Sequence, residues 1–289
     1  MLKFLTNCWR GSGKFRFGVI TLGILVFIAL IAPLIYGPIL NGASPALPGQ
    51  FRTWEPRSAA HPLGTDGHGR DILADYLAGL GTSLQIGFIS GLVATFLGII
   101  VGFTTGYKGG WIDASLSLIT NTWLVIPAYP VLVTLAMVMP GLSVMAMAVI
   151  LALFSWPYAA RTIHAQIVGM KQRGYVEMAR VSGQSDLAII FTELLPNLIP
   201  YLFMGFAFST VGAMVGEVGL EVIGLGPSNI ITLGLMINYA NGWAAFSRGR
   251  YELLLIPVGA LMLIFMAITM INRGMEEQVN PRLQRRTEK

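Results

Sequence analysis

Charged residues fall in clusters along this chain, and long apolar runs separate the clusters. No Asp, Glu, Lys or Arg occurs between Phe17 and Phe51, Tyr76 and Tyr107, Ala114 and Ala160, Leu194 and Gly216, or Leu253 and Asn272. A helix needs about 20 apolar residues to cross the hydrocarbon of a bilayer, and every one of these runs is at least that long. The Ala114–Ala160 run has room for two crossings, with Pro140-Gly141 as the natural break. The pattern predicts an all-α integral membrane protein of six transmembrane helices, at roughly 17–38, 82–107, 114–138, 141–160, 197–220 and 252–272.

Three segments between spans carry patterns of their own. Residues 39–81 open with Pro, Gly and Ser and then become regular. Within them Asp71–Ala78 sets apolar residues at 72, 73, 76 and 77 and puts Asp71 and Asp75 on the other face. That predicts an interfacial helix feeding the second span. Residues 161–196 form a long polar loop, with a short helix over Val176–Val181, Gly183 ending or turning it, and a second apolar-rich helix over Leu187–Leu195 that Pro196 leads into the fifth span. A helix–Gly–helix element projecting from a membrane domain is a surface for a partner. Small Ala179 would let that partner approach closely, Gly183 would set the corner, and Glu177 would offer a charge at the base. Residues 221–251 form another loop, rich in Gly and Asn.

Composition sharpens this picture. Of 289 residues 54% are hydrophobic and 11% charged, and the mean hydropathy is +0.67. Soluble domains carry roughly a quarter charged residues, so a soluble reading is excluded and lipid is the surrounding medium. With six spans both termini share one side. An N-in, C-in arrangement puts all Lys and Arg inside except Arg52, Arg57, Arg70, Arg248 and Arg250, as the positive-inside rule requires. The first span reads as an uncleaved anchor, because its apolar region is too long for a signal peptide and no small-residue cleavage site follows. The basic residues sit at span ends, so the sequence pI of about 9.5 points to the membrane and not to nucleic acid.

Candidate chemistry is sparse. A single cysteine, Cys8, excludes a disulfide within the chain and leaves acylation or an incidental thiol. Gly11-Ser12-Gly13-Lys14 lacks the upstream Gly and following Ser/Thr of a phosphate loop, so an ATPase, where transport uses ATP, must be another chain. His61, His68 and His164 form no metal pattern, and no nucleophile elbow occurs. No cofactor, metal site or catalytic constellation is expected. Glu217 and Glu221, near the outer end of the fifth span, either gate or contact a solute or lie at the interface, paired or hydrated. Asn121, Ser155 and Asn238 could line a polar path or join helices by hydrogen bonds. Trp54, Tyr107, Trp111, Trp243 and Tyr251 read as interface-belt residues.

Two motifs carry a resemblance. His61-Pro62-Leu63-Gly64-Thr65-Asp66-Gly67-His68-Gly69-Arg70-Asp71 resembles the signature of dipeptide/oligopeptide ABC permeases, in the subunit of the DppC or OppC kind. Glu177, Ala179, Gly183, Leu195 and Pro196 match the EAA loop of ABC-importer permeases in register, with Met178 replacing its second position. Gly102–Asp113 and Glu217–Gly226 are also similar to that family, so the resemblance spans residues 17–283. Residues 1–60 would then be the N-terminus, first span and external loop, and 61–289 a permease core of five spans.

The resemblance implies the type I ABC importer permease fold and a transport subunit that does no covalent chemistry. The implied partners are a second permease of the DppB or OppB kind, two ABC ATPases and an extracytoplasmic solute-binding protein. Glu177, Ala179, Gly183, Leu195 and Pro196 would form the ATPase-coupling loop in a multi-pass protein of the prokaryotic cytoplasmic membrane. A secondary transporter or channel is the competing class; it predicts charges near the midplane, and the runs above hold none. The implied solute is an oligopeptide or a short oligosaccharide. Glu193 stands where many peptide-importing members have His, no Pro-Gly pair precedes the last span, and the tail Gly274–Leu283 with Thr232-Leu233-Gly234 looks more like oligosaccharide-importing members.

Overall fold

A computed structural model describes residues 2–139, 141–227 and 229–279. Helices dominate it, and among the described residues the only bridge between extended segments is a single one joining Thr65 and Asp71. The elements in order are α1 (Leu2–Gly11), α2 (Gly13–Ile39), α3 (Ile72–Lys108), α4 (Gly110–Val125), α5 (Ala128–Val138), α6 (Val144–Met170), α7 (Gly174–Val181), α8 (Asp186–Ile189), a π-helical turn (Ile190–Leu194), α9 (Leu195–Val222), α10 (Leu233–Gly242) and α11 (Glu252–Val279).

Five helical runs are long and apolar enough to cross a membrane: α2, α3, α6, the run from α8 to the end of α9, and α11. The sixth expected span, 114–138, is broken. Helices α4 and α5 meet at a bend of 78°. Ile126 and Pro127 occupy the break with extended backbone, because a residue before proline is pushed out of the helical region. Of the expected boundary at Pro140-Gly141, Pro140 lies outside the described residues, while Gly141 has a positive φ of 74° and Ser143 caps α6.

Helix α3 is the axis of the molecule, and its glycines explain how. Gly98, Gly102 and Gly106 form a four-residue stripe against α6. A Cβ on them would come within 2.5 Å of the Ala159 side chain, 2.7 Å of the Ala160 carbonyl oxygen and 2.9 Å of the Ile167 side chain respectively. Small residues at this spacing let two backbones approach where lipid supplies no hydrophobic drive. The same helix packs on α9 and α2, and α2 lies along α11.

Helix α3 also overturns one expectation. No separate interfacial helix precedes the second span, because Asp71 caps a continuous helix of 37 residues. At 1.5 Å per residue that is roughly 55 Å, well beyond the ~30 Å of hydrocarbon. Asp71 and Asp75, expected on the polar face, are both buried.

The Gly11–Lys14 segment is a hinge between helices. Ser12 caps α2 by accepting from the Phe15 amide, and Ser12 and Lys14 both hold Glu277 of α11. Cys8 is buried against Phe15 and Met275, which places its thiol away from any acylating enzyme.

Candidate functional site

The helix–Gly–helix element forms as expected, with sharper geometry. Helix α7 ends at Ser182. The Gly183 amide then donates to the Arg180 carbonyl and the Gln184 amide to the Ala179 carbonyl, at 3.0 and 3.2 Å. These two bonds make a Schellman motif, which needs a left-handed residue at its centre. Gly183 supplies it, with φ +80°. Ser185 caps the next turn by accepting from the Ala188 amide, and the chain runs on into α9 through the wide turn at Ile190–Leu194. Pro196 explains that turn: it brings no amide for the Thr192 carbonyl and its ring would press on it. Asn197 makes use of the loosened backbone by donating to the Glu193 carbonyl at 2.7 Å.

The element turns Ala179 inward, contrary to expectation. Ala179 is 7% exposed and packs with Val176, Ile189 and Leu194 inside the chain, so its small size brings α7 close to its own hairpin. The residues turned outward are Met178, Val181, Leu187 and Phe191, with Val181 84% and Phe191 62% exposed. Sequence reasoning missed these four, although the three-residue spacing of 178 and 181 was a readable signal. Glu177 is exposed and lines a cavity of about 500 Å³ with Tyr107, Lys171, Gln172 and Arg180. Leu195 is half-buried in the cluster under α7, and Pro196 is exposed. The Tyr107 hydroxyl donates to Asp186 at 2.7 Å and ties α3 to the corner. Lys171 ties α6 to α3 by donating to the Gly106 carbonyl at 2.8 Å.

The four path candidates separate. Glu217 and Glu221 are 0% and 1% exposed. Glu217 accepts from the Ser83 hydroxyl at 2.8 Å, and Glu221 accepts from the Thr232 hydroxyl. Both carboxylates are thus enclosed between α3, α9 and the start of α10, paired with hydroxyls and out of contact with solvent. Asn238 donates to the Val222 carbonyl at 2.9 Å and so closes the end of α9. Only Asn121 faces open space. It lines a cavity of about 340 Å³ between α3, α4 and α6 with Thr105, Asp113, Ser117, Arg161 and His164.

At the opposite end of the bundle the Gly-rich motif builds a charged clasp. Gly64 and Gly69 have positive φ, and a Cβ on Gly69 would collide with the Phe51 carbonyl, so the chain can double back on residues 49–55. Asp66 accepts from the amides of His68 and Arg70 and from the Arg70 guanidinium, at 2.8 to 3.0 Å. Asp71 caps α3 through the Ala74 amide and lies 2.8 Å from His61 Nδ1. Arg70 also pairs with Asp75 at 3.3 Å and lies over the Tyr239 ring. Burial works against the Arg70 charge, but the Asp75 and Asp66 carboxylates outweigh it and raise its pKa. Trp54 and Trp243 meet edge to face over this clasp, 5.5 Å between centroids, and are half-buried against one another. Trp111 is 81% exposed, as a belt residue would be.

Residues 94–285 match the family described as "Binding-protein-dependent transport system inner membrane component". The chain is 28% identical to the dipeptide transport system permease protein DppC of Bacillus subtilis over 285 residues, 98% of this chain and 88% of the relative. It is 29% identical to the oligopeptide transport system permease protein OppC of Mycobacterium bovis, over 78% of each chain. Among solved structures it resembles a chain of the MetNI methionine ABC transporter, with a TM-score of 0.54 and 21% identity over 70% of this chain and 96% of that one. That likeness supports the type I permease fold.

Proposed function

The chain belongs to the family of binding-protein-dependent transport system inner membrane components and is a permease subunit of an ABC importer, and we propose that it passes short peptides across the prokaryotic cytoplasmic membrane. The observation that carries the solute class is the match to a dipeptide permease along 98% of the chain. The features that leaned towards oligosaccharides carry less weight. Thr232 has a structural task as the cap of α10 and the partner of Glu221, which accounts for it without a sugar. Asn280–Leu283 of the tail lies outside the described residues and weighs on neither solute.

In this reading a second, unlike permease subunit completes the path, and two ATPases and a solute-binding protein complete the importer. ATP-driven closure of the ATPases reaches the bundle through residues 174–195. The exposed Met178, Val181, Leu187 and Phe191 give an apolar surface beside charged Glu177 and Arg180, and Tyr107, Lys171 and the continuous α8–α9 run make a stiff link to α3, α6 and α9. Both termini and this corner face the cytoplasm, and the Arg70 clasp faces outward, as the distribution of Lys and Arg favours. Residues 61–289 act as the permease core and 1–60 as an addition at its flank. The family match from residue 94 and the packing of α2 along α11 support that division. Uptake by the complete importer in proteoliposomes tests the solute class. Accumulation of radiolabelled di- to pentapeptides is expected, and uptake of cello-, manno- or xylo-oligosaccharides with none of peptides would overturn it.

A further inference from the structure

The cavity between α3, α4 and α6 holds both signs of charge, an anchored carboxylate on one wall and, on the other, a guanidinium without an ion pair among the described residues. On α4, Asp113, Ser117 and Asn121 follow one another at four-residue spacing and so share one face. On α6, Arg161 and His164 are three residues apart and turn to the same space. Ser117 donates to Asp113 at 2.7 Å, and His164 lies 3.0 Å from the Thr105 hydroxyl and 3.6 Å from Asp113, so the acidic wall is held in place. Arg161 is exposed and has no ion-pair partner among the described residues. Elsewhere at this end of the bundle Lys14 is spent on Glu277 and Lys171 on the Gly106 carbonyl. The volume, about 340 Å³, falls at the lower end of small-molecule sites.

We propose that this cavity is a binding station for the free ends of a zwitterionic peptide, with Asp113 taking the ammonium and Arg161 taking the carboxylate. The proposal rests on the peptide reading above and adds a place and a chemistry to it. A carboxylate and a guanidinium on facing walls suit a molecule that carries one charge of each sign. Arg161 can hold a carboxylate through two parallel hydrogen bonds, and Asn121, two turns along α4 from Asp113, offers a neutral amide to the peptide backbone. The cavity lies where the last two turns of α3 and the second half of α6 meet α4, at the end of the bundle where α2 begins and α3 and α6 finish. A peptide seated there has passed most of the length of the bundle, so the station is an exit site that reads free termini within the permease.

The test needs one reactive cysteine in the whole importer: Cys8 of this chain is buried, and the partner chains are used in cysteine-free form. Ala114 is exposed and lines the cavity, so Ala114→Cys in the complete importer, reconstituted in nanodiscs without binding protein, reports occupancy through its rate of maleimide labelling. Dialanine and trialanine at millimolar concentration should slow labelling several-fold. N-acetylated and C-amidated forms should protect at roughly tenfold higher concentration, because each lacks one charge-assisted contact. Asp113→Asn should remove the discrimination against the acetylated peptide, and Arg161→Gln that against the amide. Protection that ignores the end groups, or none at all, overturns the station. Protection by dihexanoyl phosphatidylethanolamine but by no peptide assigns the cavity to lipid headgroups and overturns it as well. Peptide uptake by the wild-type importer with binding protein is measured in parallel. Uptake without protection removes the station alone, whereas absence of peptide uptake removes the solute reading with it.

Discussion

Ser83 and Glu217 are 134 residues apart in sequence and 2.8 Å apart in space, with the hydroxyl donating to the carboxylate. The same Ser83 oxygen accepts from the Leu233 amide at 3.1 Å. One side chain on α3 therefore joins α9 to the start of α10, and Glu221 makes the second joint through Thr232. Two carboxylates in the upper part of a span, which sequence reading leaves open between gate and interface, here fasten three elements together.

Replacing Glu217 with Ala leaves the Ser83 hydroxyl without its acceptor in a closed interior. The cost is about 1–3 kcal/mol, read as a lower melting temperature of the purified importer. Glu217→Gln keeps an acceptor of the same reach and should lose clearly less. Equal losses for Ala and Gln would show that the hydrogen bond is not what holds the joint.

The clasp around Arg70 predicts a similar contrast at the other end. Asp66→Ala removes two hydrogen bonds from a guanidinium that is almost wholly buried, and the acceptor of the His68 and Arg70 amides, and stability should fall by on the order of 3 kcal/mol. Asp71→Asn keeps an acceptor for the Ala74 amide and should cost about 1 kcal/mol or less. Thermal unfolding, with limited proteolysis of residues 44–70 as a second readout, checks both.

Orientation is tested by labelling. In intact, right-side-out cells an impermeant maleimide should modify Ser44→Cys and spare Thr287→Cys, a position outside the described residues. Modification of the second in sealed cells would reverse the assignment of sides.

Much of this architecture is legible in the sequence because lipid imposes a simple rule: charge-free runs of about 20 residues are spans. The rule loses resolution inside such a run. Between Ala114 and Ala160 no charge marks the bend between α4 and α5, and the signal was Ile126-Pro127 alone. Faces were harder than spans. Asp75 stands on a polar face by periodicity yet is buried, because Arg70 folds back from the Gly-rich loop to meet it, a contact no local pattern announces. Ala179 was read as an outward gap for a partner, whereas its smallness serves packing within the chain. Gly183 was read correctly as a corner because its role is local: the left-handed backbone of a Schellman motif leaves a signature in one residue.

That corner carries the central claim, that residues 174–195 transmit ATPase movement to the bundle. No atom lies within 4 Å of a Cβ added at Gly183, so Gly183→Val meets no clash and acts only through its φ of +80°. The strain is about 1–3 kcal/mol, enough to lower ATPase affinity roughly tenfold. Glu177→Lys reverses the charge beside the exposed apolar surface without touching a span. The deciding measurement is ATPase co-purification together with ATP hydrolysis stimulated by solute-loaded binding protein in proteoliposomes. Both variants should insert normally, retain less ATPase and lose most of the stimulated hydrolysis; full assembly and full stimulation in both would contradict the account.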